Sequence, residues 1–246
     1  MKRNTLKLIA SIFAAGLAAS VQAQTLVAPG NLASTEGDID NGLPFNIAYF
    51  SLGSERYQQV YETSLFSSLP AGGAEITGIA FRIADVGTSF STTLPDIQLD
   101  LSTTSVGENT LSTTFANNVG SDDTIVYAEG PLSLSGTGGG SPNPFNVIIN
   151  FSQPFVYNPA NGNLLLDVRN YGGGNYTTEF DATDIYGDGI SRVYTYGSSV
   201  NSATADGSDS LGLVTEFIYQ PVPEPSTLAL AGLGGLSLML FRRQRK

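Results

Sequence analysis

Residues 96–101 read Asp-Ile-Gln-Leu-Asp-Leu, and this stretch is the clearest indication of the fold. Ile97, Leu99 and Leu101 alternate with polar residues, so a β-strand would place all three apolar side chains on one face. The same period of two occurs in residues 79–83, 147–151 and 211–219. Several half-buried strands, with no sustained helical periodicity between them, predict an all-β protein.

Further strands are predicted where apolar and β-branched residues cluster, at residues 47–52, 57–66, 125–127, 176–180 and 192–196. Residues 164–168 are more continuously apolar and predict a central strand. Glycine- and proline-rich turns separate these segments, and the glycine-rich stretch 136–141 predicts a long loop. We therefore expect one antiparallel β-sandwich over residues 24–220, either a jelly-roll or an immunoglobulin-like fold.

The composition excludes several kinds of chemistry. Four arginines and all 22 acidic residues lie between Gln24 and Pro225, a formal net charge of −18 for this portion, which has no lysine. Without a basic patch it is not expected to bind nucleic acid. The chain has no cysteine and no histidine, which removes disulfides, Ser-His-Asp and Cys-His catalysis and nearly all zinc sites.

The N-terminal segment Met1–Ala23 has the three parts of a secretory signal peptide. Lys2, Arg3 and Lys7 form a positive region, and an apolar stretch follows over residues 8–21. Val21-Gln22-Ala23 fits the small-residue rule, so signal peptidase is expected to cut between Ala23 and Gln24. A retained N-terminal anchor is the alternative, which this cleavage site disfavours.

The C-terminal residues 221–246 also have three parts. Pro223-Glu224-Pro225 is followed by an uncharged apolar run over residues 228–241 and by a basic end, residues 242–246. Even residues 226–241 would span only about 24 Å as a helix, against a hydrocarbon core of about 30 Å. We expect a short transmembrane helix whose basic end lies on the cytoplasmic side, with the body of the chain outside.

This order of motif, apolar run and basic end resembles the PEP-CTERM sorting signal of bacterial exported proteins. The resemblance implies recognition and cleavage near residues 223–225 by a membrane-embedded exosortase-type enzyme. It also implies anchoring in the inner membrane, followed by transfer to the cell surface or the extracellular matrix. The body is only loosely similar to other β-rich ectodomains that carry such tails, and this implies no activity.

Two acidic, glycine-containing clusters are candidate Ca²⁺ sites, because calcium takes several oxygen ligands from flexible loops. The preferred cluster is Asp181, Asp184 and Asp188, with glycines at 187 and 189. The other comprises Glu36, Asp38 and Asp40, with a glycine at 42. Neither has the spacing of an EF-hand loop, so solvated acidic turns remain the alternative. No other cofactor is expected.

A group of tyrosines in the second half of the body could stack on sugar rings, since tyrosine combines an apolar ring with a polar tip. The group comprises Tyr171, Tyr176, Tyr186, Tyr194 and Tyr196. The absence of tryptophan weakens this interpretation, and packing within a β-sheet is the alternative.

These observations predict an exported, non-catalytic surface or extracellular-matrix protein with a structural or adhesive role and no catalytic residue. The first alternative is a glycan-binding module displayed at the cell surface, with exopolysaccharide as its partner. The second is a glycoside hydrolase that uses two carboxylates, although the sequence does not single out a pair.

Overall fold

A computed structural model describes residues 22–84, 88–172 and 178–222 of the chain. These ranges form thirteen β-strands and four short 3₁₀ helices. The strands are β1 Gln24–Ala28, β2 Ile39–Asn41, β3 Glu55–Tyr61, β4 Ala74–Phe81, β5 Phe90–Thr104, β6 Thr124–Gly136, β7 Val147–Tyr157, β8 Asn163–Asn170, β9 Phe180–Thr183, β10 Ile190–Tyr194, β11 Gly207–Asp209, β12 Gly212–Leu213 and β13 Thr215–Pro221. The 3₁₀ helices are Gly30–Leu32, Thr63–Phe66, Phe115–Asn117 and Pro159–Asn161.

The strands form three antiparallel sheets, which confirms the all-β prediction. One has four strands in the order β1-β13-β4-β7, and another has six in the order β11-β10-β3-β8-β5-β6. A small sheet, β12-β9-β2, completes the fold. When β1, β3, β4, β5, β6, β7, β8 and β13 are renumbered one to eight, the larger sheets have the orders 1-8-3-6 and 2-7-4-5. Successive strands therefore cross from one sheet to the other at every step except between the fourth and fifth, β5 and β6, which pair with each other in the six-stranded sheet.

Both larger sheets contribute to one hydrophobic core. The alternating residues Ile97, Leu99 and Leu101 are fully buried there, as the period of two predicts. Tyr61 of the six-stranded sheet meets Phe217 of the four-stranded sheet at a ring-centroid distance of 5.0 Å. Burial of each such side chain contributes about 1.5–3 kcal/mol, so these contacts hold the two sheets together.

Several strand predictions need correction. The strand predicted at residues 192–196 ends at Tyr194, and of the described part of 176–180 only Phe180 lies in a strand. Residues 47–52 form consecutive turns, in which Phe50 N–H donates to Ile47 and Ser51 has a φ of 58°. The strand predicted at residues 57–66 ends at Tyr61, and the chain then forms the 3₁₀ helix Thr63–Phe66. The segment 211–219 is divided between β12 and β13, because Val214 N–H donates to the Asp181 carbonyl and the chain changes sheet there.

The two ends of the body lie side by side in the four-stranded sheet. Gln24 pairs with Tyr219 in the β1–β13 ladder, and the Tyr219 hydroxyl donates to Gln24 Oε1 at 2.9 Å. The predicted cleavage point after Ala23 therefore lies directly before the first strand. Residues 1–21, the motif Pro223-Glu224-Pro225 and the predicted membrane segment 228–241 lie outside the described residues. No helix within the described ranges is long and apolar enough to cross a membrane.

Candidate functional site

Three aromatic rings form an exposed patch where the 47–52 turns meet the turn after β10. Tyr49 and Phe50 pack edge to face with ring centroids 5.1 Å apart. Tyr196 packs against Phe50 at 6.2 Å. Tyr49 is 62% exposed and Tyr196 is 53% exposed. We call these three residues the aromatic patch; it presents two tyrosine rings to solvent.

Backbone contacts hold the turn that carries Tyr196. Thr195 N–H donates to the Arg56 carbonyl and Arg56 N–H donates to Thr195 Oγ1, each at 2.9 Å. Asp206 accepts from Tyr196 N–H at 2.7 Å and from Ser198 N–H at 3.0 Å. The Ser198 hydroxyl and these amides lower the pKa of Asp206 below its usual value. The anionic side chain therefore holds the backbone of the turn that carries Tyr196.

The four described tyrosines of the group predicted from the sequence lie in different surroundings. Tyr194 is half-buried on β10, where the Arg192 guanidinium lies 4.6 Å from its ring centroid and its hydroxyl donates to Asp209. Tyr171 is half-buried, and Tyr186 is 80% exposed in the turn between β9 and β10. Tyr176 lies outside the described residues. Of the group, Tyr196 joins the aromatic patch.

Sequence reasoning missed Tyr49 and Phe50, which were assigned to a strand. A strand over residues 47–52 would put adjacent rings on opposite faces, whereas consecutive turns bring Tyr49 and Phe50 together. The aromatic pair itself was visible in the sequence. Its partner Tyr196 is distant along the chain, so the patch had no local signature.

Pairing of β2 with β9 brings the two predicted acidic clusters together. Asp40 is the register partner of Asp181, and Asp38 Oδ1 accepts from Asp184 N–H at 3.0 Å. Asp181 is buried and accepts from Arg82 Nε at 2.7 Å, so its charge is already paired. Asp188 accepts from Thr183 Oγ1 at 2.9 Å and from Ile190 N–H at 3.1 Å.

The glycine loop between β9 and β10 has its amides covered by another carboxylate. Glu108 accepts from Gly187 N–H at 2.6 Å and from Gly189 N–H at 3.1 Å. In the described parts of the chain, no group of three or more carboxylates lies where it could hold a metal ion. Binding of Ca²⁺ at Asp181, Asp184 and Asp188 stays a prediction. Of the three carboxylates, Asp181 also forms an ion pair with Arg82.

The outer face of the six-stranded sheet carries a second group of charges. Asp100 on β5 pairs in register with Asp167 on β8. Arg56 holds Asp167 in a two-pronged contact, with Nε at 3.1 Å and Nη2 at 2.6 Å. Arg169 Nη2 lies 3.7 Å from Asp100 and 3.8 Å from Asp167. Adjacent strands thus place two carboxylates beside two guanidinium groups, and Phe115 lies beneath the Arg56 guanidinium at 4.7 Å.

The two carboxylates of this group differ in their direct contacts. Burial raises the pKa of Asp100 to about 6, although Gln98 Nε2 donates to both of its oxygens at 2.9 Å. Gln58 Nε2 donates to Asp167 at 2.7 Å in addition to the Arg56 contacts. Asp167 therefore has its charge compensated by direct contacts, while Asp100 is able to hold a proton near neutral pH.

The comparison with protein families identifies the end of the chain. Residues 221–246 match the PEP-CTERM protein-sorting motif. The chain is therefore a protein with a PEP-CTERM sorting domain, a class that is exported and sorted by an exosortase-type system. No curated protein matches the chain, and no solved structure matches it.

Proposed function

We propose that this chain is an exported surface or extracellular-matrix protein with an adhesive, non-catalytic role. The sorting motif at residues 221–246 carries this proposal. Signal peptidase would cut after Ala23 and leave Gln24 as the first residue of β1. The exosortase-type enzyme would act near residues 223–225, just after β13 ends at Pro221. Neither cut would remove a strand.

The body is proposed to be a β-sandwich of the jelly-roll type. The strand orders 1-8-3-6 and 2-7-4-5 support it, because the successive strands of an eight-stranded jelly-roll cross between two sheets, apart from the fourth and fifth, which are neighbours in one sheet. They disfavour the immunoglobulin-like alternative, whose sheets combine strands in a different order. In this arrangement β10 and β11 extend the edge of the six-stranded sheet.

Adhesion is proposed to occur through the aromatic patch, with a polyhydroxylated polymer such as the producer's exopolysaccharide as partner. The observation that supports it is the exposure of Tyr49 and Tyr196 on a fixed turn. Tyrosine rings present an apolar face for the C–H side of a sugar and a hydroxyl for its polar groups. The net negative body favours a neutral polymer over an anionic one.

Affinity electrophoresis of the full chain in gels containing that exopolysaccharide tests the partner. If each ring contributes about 1 kcal/mol, the double variant Tyr49→Ala, Tyr196→Ala should bind at least tenfold more weakly. Tyr186→Ala is the matched control, since this ring is more exposed but lies outside the patch. Equal retardation of the double variant and the wild type would exclude the patch as the binding surface.

A carboxylate-dependent glycoside hydrolase is the second candidate, favoured by the register pairing of Asp100 with Asp167 and by the raised pKa of Asp100. Such enzymes pair a protonated carboxylic acid with an ionised carboxylate. Reducing-end release from exopolysaccharide would support this candidate if Asp100→Asn abolishes it. If the wild-type protein releases no reducing ends, the hydrolase candidate is rejected and the adhesive role is kept.

The sorting step has its own test. Replacement of Pro223, Glu224 and Pro225 by alanine should leave the chain unprocessed in the inner membrane. Mass spectrometry of the mature C-terminus, combined with cell fractionation, measures the outcome. A triple variant that is cut and released like the wild type would contradict exosortase recognition of this motif.

A further inference from the structure

Buried polar atoms without a hydrogen-bond partner among the described residues occur in the side chains of Asn46, Glu55, Asn170 and Arg192. The atoms are Asn46 Oδ1, both carboxylate oxygens of Glu55, Asn170 Oδ1 and Arg192 Nη1. Glu55 and Asn170 are fully buried, and Asn46 and Arg192 are nearly so. Buried polar atoms are rarely left unsatisfied in proteins, because each one gives up its hydrogen bonds to water without gaining another. We call these four residues the Glu55 cluster.

Strand register brings the cluster together. Glu55 and Asn170 are direct partners in the β3–β8 ladder, so their side chains lie on the same face of the sheet. Asn170 Nδ2 donates to the Pro44 carbonyl at 3.0 Å, which fixes the amide and leaves Oδ1 available. Asn46 follows Pro44 by two residues in the same loop. The positive charge of Arg192 acts on the Glu55 carboxylate across the same space.

The cluster has an excess of negative charge and of acceptors. Arg192 is neutralised by Asp209, with contacts of 2.7 Å from Nε and 3.2 Å from Nη2. The carboxylate of Glu55 therefore has no direct counter-ion. Four of the five unpartnered atoms are oxygens, and only Arg192 Nη1 is a donor. Burial raises the pKa of Glu55 well above its usual value, the expected response of an uncompensated buried carboxylate.

A proton on Glu55 would satisfy only part of this set, since it provides a single donor for the remaining acceptor oxygens. A hard cation satisfies them together, because carboxylate and amide oxygens are the ligands such ions prefer.

We propose that Glu55, Asn46 and Asn170 bind a hard cation, Ca²⁺ or Na⁺, beneath the loop that carries the aromatic patch. Glu55 supplies two oxygens and each asparagine supplies one. Water molecules complete the six to eight ligands that Ca²⁺ takes, and one of them accepts from Arg192 Nη1. The ion would hold residues 44–46 against β3 and β8. This site is separate from Asp184 and Asp188.

Calorimetry of the full-length chain tests the proposal. The protein is stripped with a chelator, transferred to choline chloride and titrated with CaCl₂ or NaCl at constant ionic strength. We expect the wild-type Tm to rise with one of the two cations and not with choline. Glu55→Gln should weaken that cation's binding at least tenfold.

Two controls separate this site from general charge effects. Glu75→Gln removes a carboxylate from β4, and Asp184→Asn with Asp188→Asn removes the charges of the glycine loop; both proteins should keep the wild-type response. Asn46→Asp adds a second carboxylate to the cluster and should strengthen cation binding several-fold. This variant decides the question if Glu55→Gln does not fold.

Three outcomes would overturn the proposal. One is a wild-type Tm that choline raises as much as Ca²⁺ and Na⁺ do, which is simple screening. Another is an undiminished cation response in Glu55→Gln. The third is a response that the paired Asp184 and Asp188 substitutions remove, because the ion would then occupy the glycine loop.

Discussion

Two buried carboxylates, Asp181 and Glu55, differ in their hydrogen-bond partners. Asp181 accepts from Arg82 Nε at 2.7 Å and from Gly37 N–H at 2.8 Å. Glu55 is equally buried, yet within the part of the chain that the structure describes neither of its oxygens has a partner. A buried charge is tolerated when it is paired and hydrogen-bonded, and otherwise needs a proton or an ion. Asp181 thus has its charge compensated by direct contacts, whereas Glu55 is the carboxylate for which we propose an ion.

The Arg82–Asp181 pair ties together distant parts of the chain. Arg82 follows β4 in the four-stranded sheet, and Asp181 lies on β9 in the small sheet. The Arg82 guanidinium also donates to the Thr35 carbonyl and lies 4.8 Å from the ring centroid of Phe145. The pair therefore fixes the position of the segment that leads into β2.

Loss of Arg82 should have the largest effect. Arg82→Met leaves Asp181 buried without a cation, and we expect a loss of about 3–5 kcal/mol in the free energy of unfolding, measured by urea denaturation. Arg82→Met combined with Asp181→Leu removes both charges and should recover a large part of that loss. A change below about 1 kcal/mol in the single variant would mean that the pair behaves like an exposed one.

The other partner of Asp181 gives a smaller effect. A Cβ on Gly37 would lie 1.8 Å from the Ala182 carbonyl oxygen, so Gly37→Ala must displace the backbone that donates to Asp181. We expect a loss of about 1–3 kcal/mol. Gly30→Ala is the control, because a Cβ there meets nothing within 4 Å. Equal urea midpoints for the two variants would contradict the tight contact.

Substitution of Glu55 should raise the stability of the protein at high pH, whereas the preceding substitutions lower it. Because burial raises its pKa above the usual 4.5, the folded protein keeps a proton that the unfolded chain releases. In cation-free buffer the wild-type stability should therefore fall as pH rises above about 4.5. Glu55→Gln lacks this fall and should exceed the wild type at pH 8 by about 1–2 kcal/mol. Parallel pH profiles from thermal unfolding would show that Glu55 is compensated in some other way.

Asp100 is also buried, and its substitution should change the stability of the protein least. Its pKa is raised from 3.8 to about 6, so its neutral form stabilises the protein at low pH and that contribution is lost as pH rises from about 4 to 6. Asp100→Asn should flatten this part of the stability profile, while Asp96→Asn on the same strand should leave it unchanged. Gln98 limits the size of the change, because its amide already stabilises the ionised carboxylate.

The parts of the fold that were predicted correctly depend on local patterns. Alternation in residues 97–101 and 147–151 predicts strands, and β5 and β7 contain them. The strand predicted at residues 164–168 lies inside the six-stranded sheet as β8. Residues 47–52 are equally apolar, yet they form turns. In a strand Ile47 and Tyr49 would share one face, whereas here Ile47 is buried and Tyr49 remains in solvent. An apolar run alone does not distinguish a strand from a buried turn.

The sites were harder to predict than the strands. The acidic, glycine-rich surroundings of Asp181 predict a metal ligand, which stays a prediction, whereas its pairing with Arg82, 99 residues away along the chain, has no local signal. Glu55 had no local feature that marked it, because it is the first residue of an ordinary strand. Its significance comes from its register with Asn170 and from the absence of a partner.

The sequence by itself determined the sorting tail, the all-β class and the chemistry that is unavailable without cysteine or histidine. These properties follow from composition, short-range order and a period of two, all of which are local. Only the tertiary structure decided the sheet order, the joining of Tyr49 to Tyr196 and the unpartnered oxygens around Glu55. Strand register and chain crossover set those distances, and whether a buried polar atom is satisfied depends on neighbours that come from distant segments.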